Sequence, residues 1–299
     1  MEHAGEARGA PAQHPRRLLA DRLPDLRLRQ GVLSTSDNAV ELVVQADDYG
    51  MHPAVTDGVD RLFESGIVTQ ASVMAPAPDA SRALASAFRT GMPLGVHLTL
   101  ACEWDFYRWS PLTAAPTLRA ADGAFLPGIP ELRSASVDEA YDELVAQVEA
   151  VVGAGLSPQH MESHIRPFDL TILAELSSRY GLESRDPIPH PGLTMRLDSL
   201  WHLSVQPPET KLASLLDHVA TLPSGRHMIV AHPAEDHDDL RRFCPPTSRR
   251  WKWAREIRVS DSAALSSPEF AASCRDLGIS LSATHVPRQA PSGDPLSHR

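Results

Sequence analysis

The sequence predicts an α/β fold in which short parallel strands alternate with helices. Three observations carry this. Apolar runs of strand length recur along the chain, with segments of helical spacing between them. Four of those runs end in a carboxylate or a histidine, as strand ends do on the working face of a β/α barrel. The length of 299 residues suits one such barrel or two smaller domains.

The elements follow in order. Residues 1–38 are rich in Ala, Arg and Pro and include Arg16-Arg17, but no continuous apolar core follows the charges, so a secretory signal is not expected. A flexible or surface-docked arm is. The first strand is Val43-Val44-Gln45-Ala46, ending in Asp47-Asp48-Tyr49-Gly50. A helix over Val55–Ser65 stops at Gly66, a strand covers Thr69–Met74, a helix Ala80–Phe88 and a strand Leu94–Leu98. Val137–Val152 has the clearest amphipathic pattern. Tyr141, Leu144, Val145, Val148, Val151 and Val152 keep the helical period, with Ser136 as cap and Gly153 and Gly155 as stops. A strand over His160–His164 precedes a helix over Leu170–Tyr180. A helix over Pro208–Leu222 precedes a strand over Met228–Ala231. A last helix over Pro268–Leu277 leads into a strand over Ile279–Leu281. Glu183–Val205 is ambiguous, and barrel strands can hide there. The tail from Arg288 is rich in Pro and Ser and reads as disordered. The expected domains are thus an arm over 1–38, a barrel over 39–287 and a tail over 288–299.

The strand ends carry Asp47 and Asp48, His97, His164 and His232. Two adjacent aspartates repel, so a fold gains nothing by burying both. They become useful if one holds a metal and the other handles protons. The structural alternative is a helix N-cap aspartate with a solvated neighbour. One aspartate and two histidines make a familiar ligand set for a catalytic divalent metal, with positions left for water and substrate. Each histidine alone has a structural reading as well; the joint pattern points to a site.

At these residues the sequence resembles the YdjC/ChbG-like carbohydrate deacetylases. The motifs are Ala46-Asp47-Asp48-Tyr49-Gly50, Gly66-Ile67-Val68-Thr69, Gly95-Val96-His97-Leu98-Thr99-Leu100, His160-Met161-Glu162-Ser163-His164 and Ala231-His232-Pro233, in that order, over roughly Val43–Leu281. The resemblance implies a single-domain, distorted TIM-like β/α barrel. It implies one divalent metal ion per chain, zinc or magnesium, with cobalt or nickel as alternatives, held by Asp48, His97 and His164. It implies Asp47 as the proton-handling carboxylate and His232 near the reacting centre. Many members read Asp-Ser-His where this chain has Glu162-Ser163-His164. Many also carry a further histidine where this chain has Arg166, whose guanidinium offers no lone pair to a metal. That departure points away from simple chitooligosaccharides.

The expected reaction is removal of an N-acetyl group from an amino sugar or sugar-bearing metabolite by metal-activated water. Asp47 would take the water proton, and His232 would protonate the amine or steady the oxyanion. His97 and His164 ligate only when neutral, so acid should release the metal. The segment Trp104–Ala135 has many Pro, Gly and aromatic residues and little periodicity. Trp104, Tyr107 and Trp109 could stack on a sugar, or pack over the barrel edge. Arg108 could bind an anionic group or serve as a structural ion-pair partner, and Arg166 suits an anionic group beside the metal.

Other readings are set by composition. The formal charge of −10 argues against a nucleic-acid surface, and no segment approaches the roughly 18 apolar residues of a membrane span. Cys102, Cys244 and Cys274 are odd in number and far apart, so no disulfide scaffold or zinc ribbon is expected and the chain reads as cytoplasmic. Cys102 lies close in sequence to His97 and reads as a small apolar residue. The acidic run Glu235-Asp236-His237-Asp238-Asp239 lacks the spacing of a calcium loop and reads as solvated. The expected partner is an N-acetylated sugar or glycoside, and a homo-oligomer is compatible with the sequence. Two alternatives stay open, a metal-dependent hydrolase of another bond such as a phosphoester and a catalytically silent sugar-binding barrel. No GxSxG elbow occurs, which leaves a serine hydrolase without support.

Overall fold

The computed structural model describes residues 39–165, 171–186, 188 and 194–284. The expected arm over 1–38, the expected tail over 288–299 and Arg166 lie outside them. Among the described residues, eight strands form one sheet: β1 (Val40–Tyr49), β2 (Gln70–Val73), β3 (Leu94–Leu98), β4 (His160–Ser163), β5 (Glu183–Ser184), β6 (Ser199–His202), β7 (Gly225–Ala231) and β8 (Ser280–Leu281). Their order is β5-β4-β3-β2-β1-β7-β6, with β8 pairing β1 beside this path. Every pairing is parallel. The sheet is a curled half-barrel with helices packed against it, as expected of a distorted TIM-like α/β barrel in one domain. The ambiguous region 183–205 does hold strands, β5 and β6.

The helices are α1 (Pro53–Glu64), α2 (Ala80–Thr90), α3 (Ile129–Leu132), α4 (Val137–Gly153), α5 (Thr171–Tyr180), α6 (Lys211–Ala220), α7 (Trp251–Ala254), α8 (Glu256–Leu265) and α9 (Pro268–Asp276). α1 starts two residues before the apolar period does, because Pro53 suits the first helical position and His52 Nδ1 accepts from the Ala54 N–H at 3.1 Å. α4 is capped as its sequence reads, with Ser136 Oγ accepting from the Glu139 N–H. Leu144, Val148 and Val151 are buried, whereas Val152 is exposed. α7 and α8 have no counterpart in the sequence pattern.

Alternation along the strands divides the molecule into two chemistries. One face of β1 carries Leu42, Val44 and Ala46, which join Ala71, Val73, Leu94, Val96, Met161 and Ile229 in the main apolar core. The other face carries Val43, Gln45 and Asp47. With Gln70 and Ser72 of β2, His97 of β3 and His160 and Glu162 of β4, it fills the inside of the curl with buried polar groups. Buried polar atoms need partners, and here they form a chain. Thr284 donates to Gln70 Oε1 through its backbone N–H (2.7 Å) and its hydroxyl (2.8 Å). Gln70 Nε2 donates to Gln45 Oε1 at 2.7 Å, and Gln45 Nε2 donates to Glu162 at 3.1 Å and Asp47 at 3.2 Å. Gly95 makes room for this layer, since a Cβ there would lie 2.2 Å from the His160 ring.

Candidate metal centre and active site

A regular strand points successive side chains to opposite faces, yet Asp47 and Asp48 serve the same site. The register between β1 and β2 breaks between Ala46 and Tyr49, as at a bulge, and Asp48 takes a left-handed φ of 62°. Aspartate tolerates that region better than most residues. Gly50 follows at φ 84°, where a Cβ would meet the Ala80 backbone at 2.9 Å. The turn that carries both carboxylates therefore depends on this sequence of residues.

Three ligand-type atoms converge. Asp48 Oδ1 lies 3.0 Å from His97 Nε2 and 3.0 Å from His164 Nδ1, and the two nitrogens are 3.3 Å apart. Donors about 2.1 Å from one ion, spread at about 90–109° around it, lie about 3.0–3.4 Å apart. The triangle therefore fits a single divalent ion. The outer partners suit the same purpose. His164 Nε2 is 3.0 Å from Glu103, which leaves Nδ1 bare for a ligand. His97 Nδ1 is 3.2 Å from Ser72 Oγ, and that hydroxyl reaches Asp47 Oδ1 at 3.3 Å. Asp48 Oδ2 is taken by Arg258 Nη2 at 2.7 Å, so only Oδ1 is free to ligate.

The electrostatics agree. Burial alone would lower the His164 pKa, but the carboxylates of Glu103 and Asp48 push it up to about 10. The pocket thus attracts positive charge, which a proton supplies when no metal does. Burial would raise the Asp48 carboxyl; Arg258 and His164 override it and hold it well below the usual range. A second trio, Asp47, His97 and Glu162, also has ligand atoms close together. Its members are already committed: Arg185 binds both oxygens of Asp47 at 3.0 and 2.8 Å, and His160 holds Glu162 at 2.9 Å.

Asp47 stands beside the triangle. Burial pushes its carboxyl up, but Arg185, His97 and His232 together hold it far below the ordinary carboxylate range. His232 Nε2 faces Asp47 Oδ2 at 4.0 Å, and burial lowers the His232 pKa. A cleft of about 310 Å³ opens onto Asp48, Glu103, Trp104, His164, Ile165, His232, Arg250, Trp253 and Arg258.

The aromatic segment, read from the sequence either as a sugar wall or as packing over the barrel edge, mostly packs. Of its residues only Trp104 lines this cleft. Tyr107 stacks on Phe243 at 4.4 Å between ring centroids and donates its hydroxyl to Met51 O at 3.0 Å. Trp109 is 3% exposed and packs edge-on against His164. Arg108 is spent within its own loop, on the carbonyls of Cys102, Trp104 and Phe125 and on Asp122. Apolar rings bury more area by packing on one another than by facing water, and the loop folds inward for that reason. Trp253, half-buried, lines the cleft, with its ring 5.5 Å from that of His232. Cys102 is buried beside this loop and its thiol is pushed up to about 11 by burial, so it is inert, as its sequence context reads. In the acidic run, Glu235 pairs with Arg61 and Asp236 with Arg255.

Sequence reasoning missed Glu103, Arg185, Arg258 and Trp253. Glu103 had a signal, since it follows the second histidine motif and immediately precedes the aromatic segment. Arg185 lies in the ambiguous stretch, and Arg258 and Trp253 lie on helices that the apolar period does not show. Among the described residues no helix is long and apolar enough to cross a membrane.

Comparison with known proteins bears on the same stretch of chain. A protein named carbohydrate deacetylase from Geobacillus stearothermophilus is 27% identical over 252 residues, covering 80% of this chain and 94% of that protein. Another of that name from Brevibacillus brevis is 32% identical over 154 residues, half of this chain and 60% of that protein. The fold matches a crystal structure of a putative cellobiose-phosphate cleavage protein from Enterococcus faecalis V583, with a TM-score of 0.67 at 23% identity, over 83% of this chain and 98% of that one. The family model described as YdjC-like protein matches residues 41–276, which include both aspartates, the three strand-end histidines and the arginines that hold the aspartates. The chain belongs to the YdjC-like family.

Proposed function

We propose that this protein is a metal-dependent deacetylase that hydrolyses the N-acetyl group of an amino sugar or sugar-bearing metabolite. The observation that carries this is the Asp48, His97 and His164 triangle with Asp47 beside it and a cleft in front. The names of the relatives support the same reaction. Asp48, His97 and His164 hold one divalent ion. Nitrogen-rich ligation favours zinc, cobalt or nickel on affinity; magnesium is the alternative. The ion, when bound, acidifies a water and polarises the acetyl carbonyl.

The chain's own groups do the rest. Asp47 accepts the water proton, and Arg185 keeps it ionised and aimed. His232, across from Asp47, passes a proton to the departing amine. Arg258 and Glu103 fix Asp48 and His164. Trp253 offers ring surface for the C–H face of a sugar, and Arg250 at the cleft suits a polar or anionic substituent. Three free, buried cysteines fit a cytoplasmic setting.

The test is to incubate metal-reconstituted protein with a panel of N-acetylated sugars and glycosides, including diacetylchitobiose, and to measure acetate and free amine. Release of both in equal amounts, abolished by chelation, is expected. Phosphate release from sugar phosphates without acetate would favour the phosphoester alternative instead.

A further inference from the structure

His232 uses both ring nitrogens. Nε2 faces Asp47, and Nδ1 is 2.8 Å from Ser204 Oγ. Ser204 is buried, in the short 3-10 turn Leu203–Val205 that follows β6. Its hydroxyl also contacts Asp261 Oδ2. Asp261 is fully buried on α8. Its Oδ1 meets Lys211 Nζ at 2.5 Å, and its Oδ2 accepts the backbone N–H of His232 at 2.8 Å. Lys211, buried at the start of α6, is held in turn by Ile257 O at 3.1 Å.

With Asp261 paired as a carboxylate to Lys211 and a neutral imidazole at His232, one arrangement of protons satisfies these contacts. Asp261 is an acceptor at both oxygens. Ser204 owns a single proton and must give it to Asp261, or two oxygen lone pairs would face each other. Its oxygen is then left to accept, and among the described residues the only donor in reach is Nδ1–H of His232. A neutral imidazole carries one proton, so Nε2 is bare.

We propose that Ser204 is a positioning residue, fixed by Lys211 and Asp261, that holds the His232 proton on Nδ1 and presents a bare Nε2 to Asp47 and the cleft. This deepens the deacetylase reading and rests on it, because it specifies how His232 enters the reaction. His232 begins as an acceptor. During hydrolysis the water oxygen bonds to the acetyl carbon, the C–N bond breaks, and one water proton ends on the nitrogen. That proton passes from Asp47 to Nε2 and from Nε2 to the leaving amine, while the Nδ1 proton stays on the Ser204 side. A ring held by its backbone N–H and its Nδ1 on one rigid carboxylate–hydroxyl pair cannot flip between the two steps.

The tautomer can be read directly. Long-range nitrogen–proton correlation spectra of histidine-labelled protein separate a protonated ring nitrogen from a bare one, and His232 is identified by the signal lost in His232→Gln. The unaltered protein is expected to show Nδ1–H. Ser204→Ala should move part of the population to Nε2–H, and Ser204→Thr, which keeps a hydroxyl, should restore Nδ1–H. With 4-nitrophenyl N-acetylglucosaminide as acetyl donor, Ser204→Ala should lower kcat about 10- to 100-fold with KM and metal content unchanged, and Ser204→Thr should recover it. A proton on Nε2 in the unaltered protein, or an unchanged His232 spectrum in Ser204→Ala, overturns the proposal. Spectra as expected without acetate release from any N-acetyl sugar would sink the deacetylase reading and leave the Ser204 assignment standing.

Discussion

Arg258 and Asp48 divide one carboxylate between two duties. Nη2 of the arginine takes Oδ2 at 2.7 Å, and Oδ1 is left facing His97 and His164. Both partners are buried, so the pair is neither screened nor free to rotate. Removing Arg258 would free the second oxygen and leave a buried negative charge. Arg258→Gln is expected to weaken divalent metal affinity about 10- to 100-fold. Competition titration with a chromogenic chelator measures this; unchanged affinity would detach Arg258 from the metal site.

The two aspartates should separate cleanly. His97→Ala, His164→Ala and Asp48→Asn should each lose bound metal in elemental analysis. Asp47→Asn should keep it and lose about 10²- to 10⁴-fold in kcat, the range of a positioned general base. Full metal occupancy in the two histidine variants would refute the ligand assignment.

Arg185 is expected to set the acid limit of activity. It holds the Asp47 carboxyl far below its ordinary value against the upward push of burial. Asp47 accepts a proton only as a carboxylate, so its base form survives well into acid in the unaltered protein. Without Arg185, burial would raise the pKa, and activity would be lost at a higher pH on the way down. Arg185→Gln should shift the acid limb of kcat/KM upward by about one to three pH units. A limb that stays in place would assign it to another group, such as the metal ligands themselves.

Two tryptophans should behave differently on truncation. Trp253→Ala, at the cleft, should raise KM about 2- to 10-fold with little change in Tm. Trp109→Ala, in the packed loop, should destabilise the fold by about 3–5 kcal/mol. Thermal denaturation beside steady-state kinetics checks both. A Trp109→Ala protein of normal Tm and raised KM would return the sugar wall to the aromatic loop.

The strand ends were legible because a parallel strand buried on both faces leaves a continuous apolar run, and polar residues at its end stand out. α8 was not legible. Its buried face carries Arg258, Asp261 and Ser262 beside Ala264 and Leu265, so a reading that follows apolar period sees no helix there. The half-exposed edge strand β6 was weak for a related reason, with Leu200 exposed and Trp201 only partly covered. The aromatic loop stayed open between a sugar wall and packing because composition cannot say whether a ring faces a ligand or a neighbour. Phe243, the ring that Tyr107 and Trp104 pack on, lies more than a hundred residues further along the chain.

The chain of buried amides inside the curl has a direction. Thr284 offers Gln70 a backbone N–H, which can only donate, so the Gln70 oxygen must face it. The Gln70 amide nitrogen then points to Gln45, and the Gln45 nitrogen to Asp47 and Glu162. No amide in the series can turn over without placing two donors or two acceptors face to face. A residue just beyond the last strand of the barrel thus dictates which kind of atom meets the carboxylate at the end of the first. The orientation of Asp47 is written into the closing of the sheet as well as into its own turn.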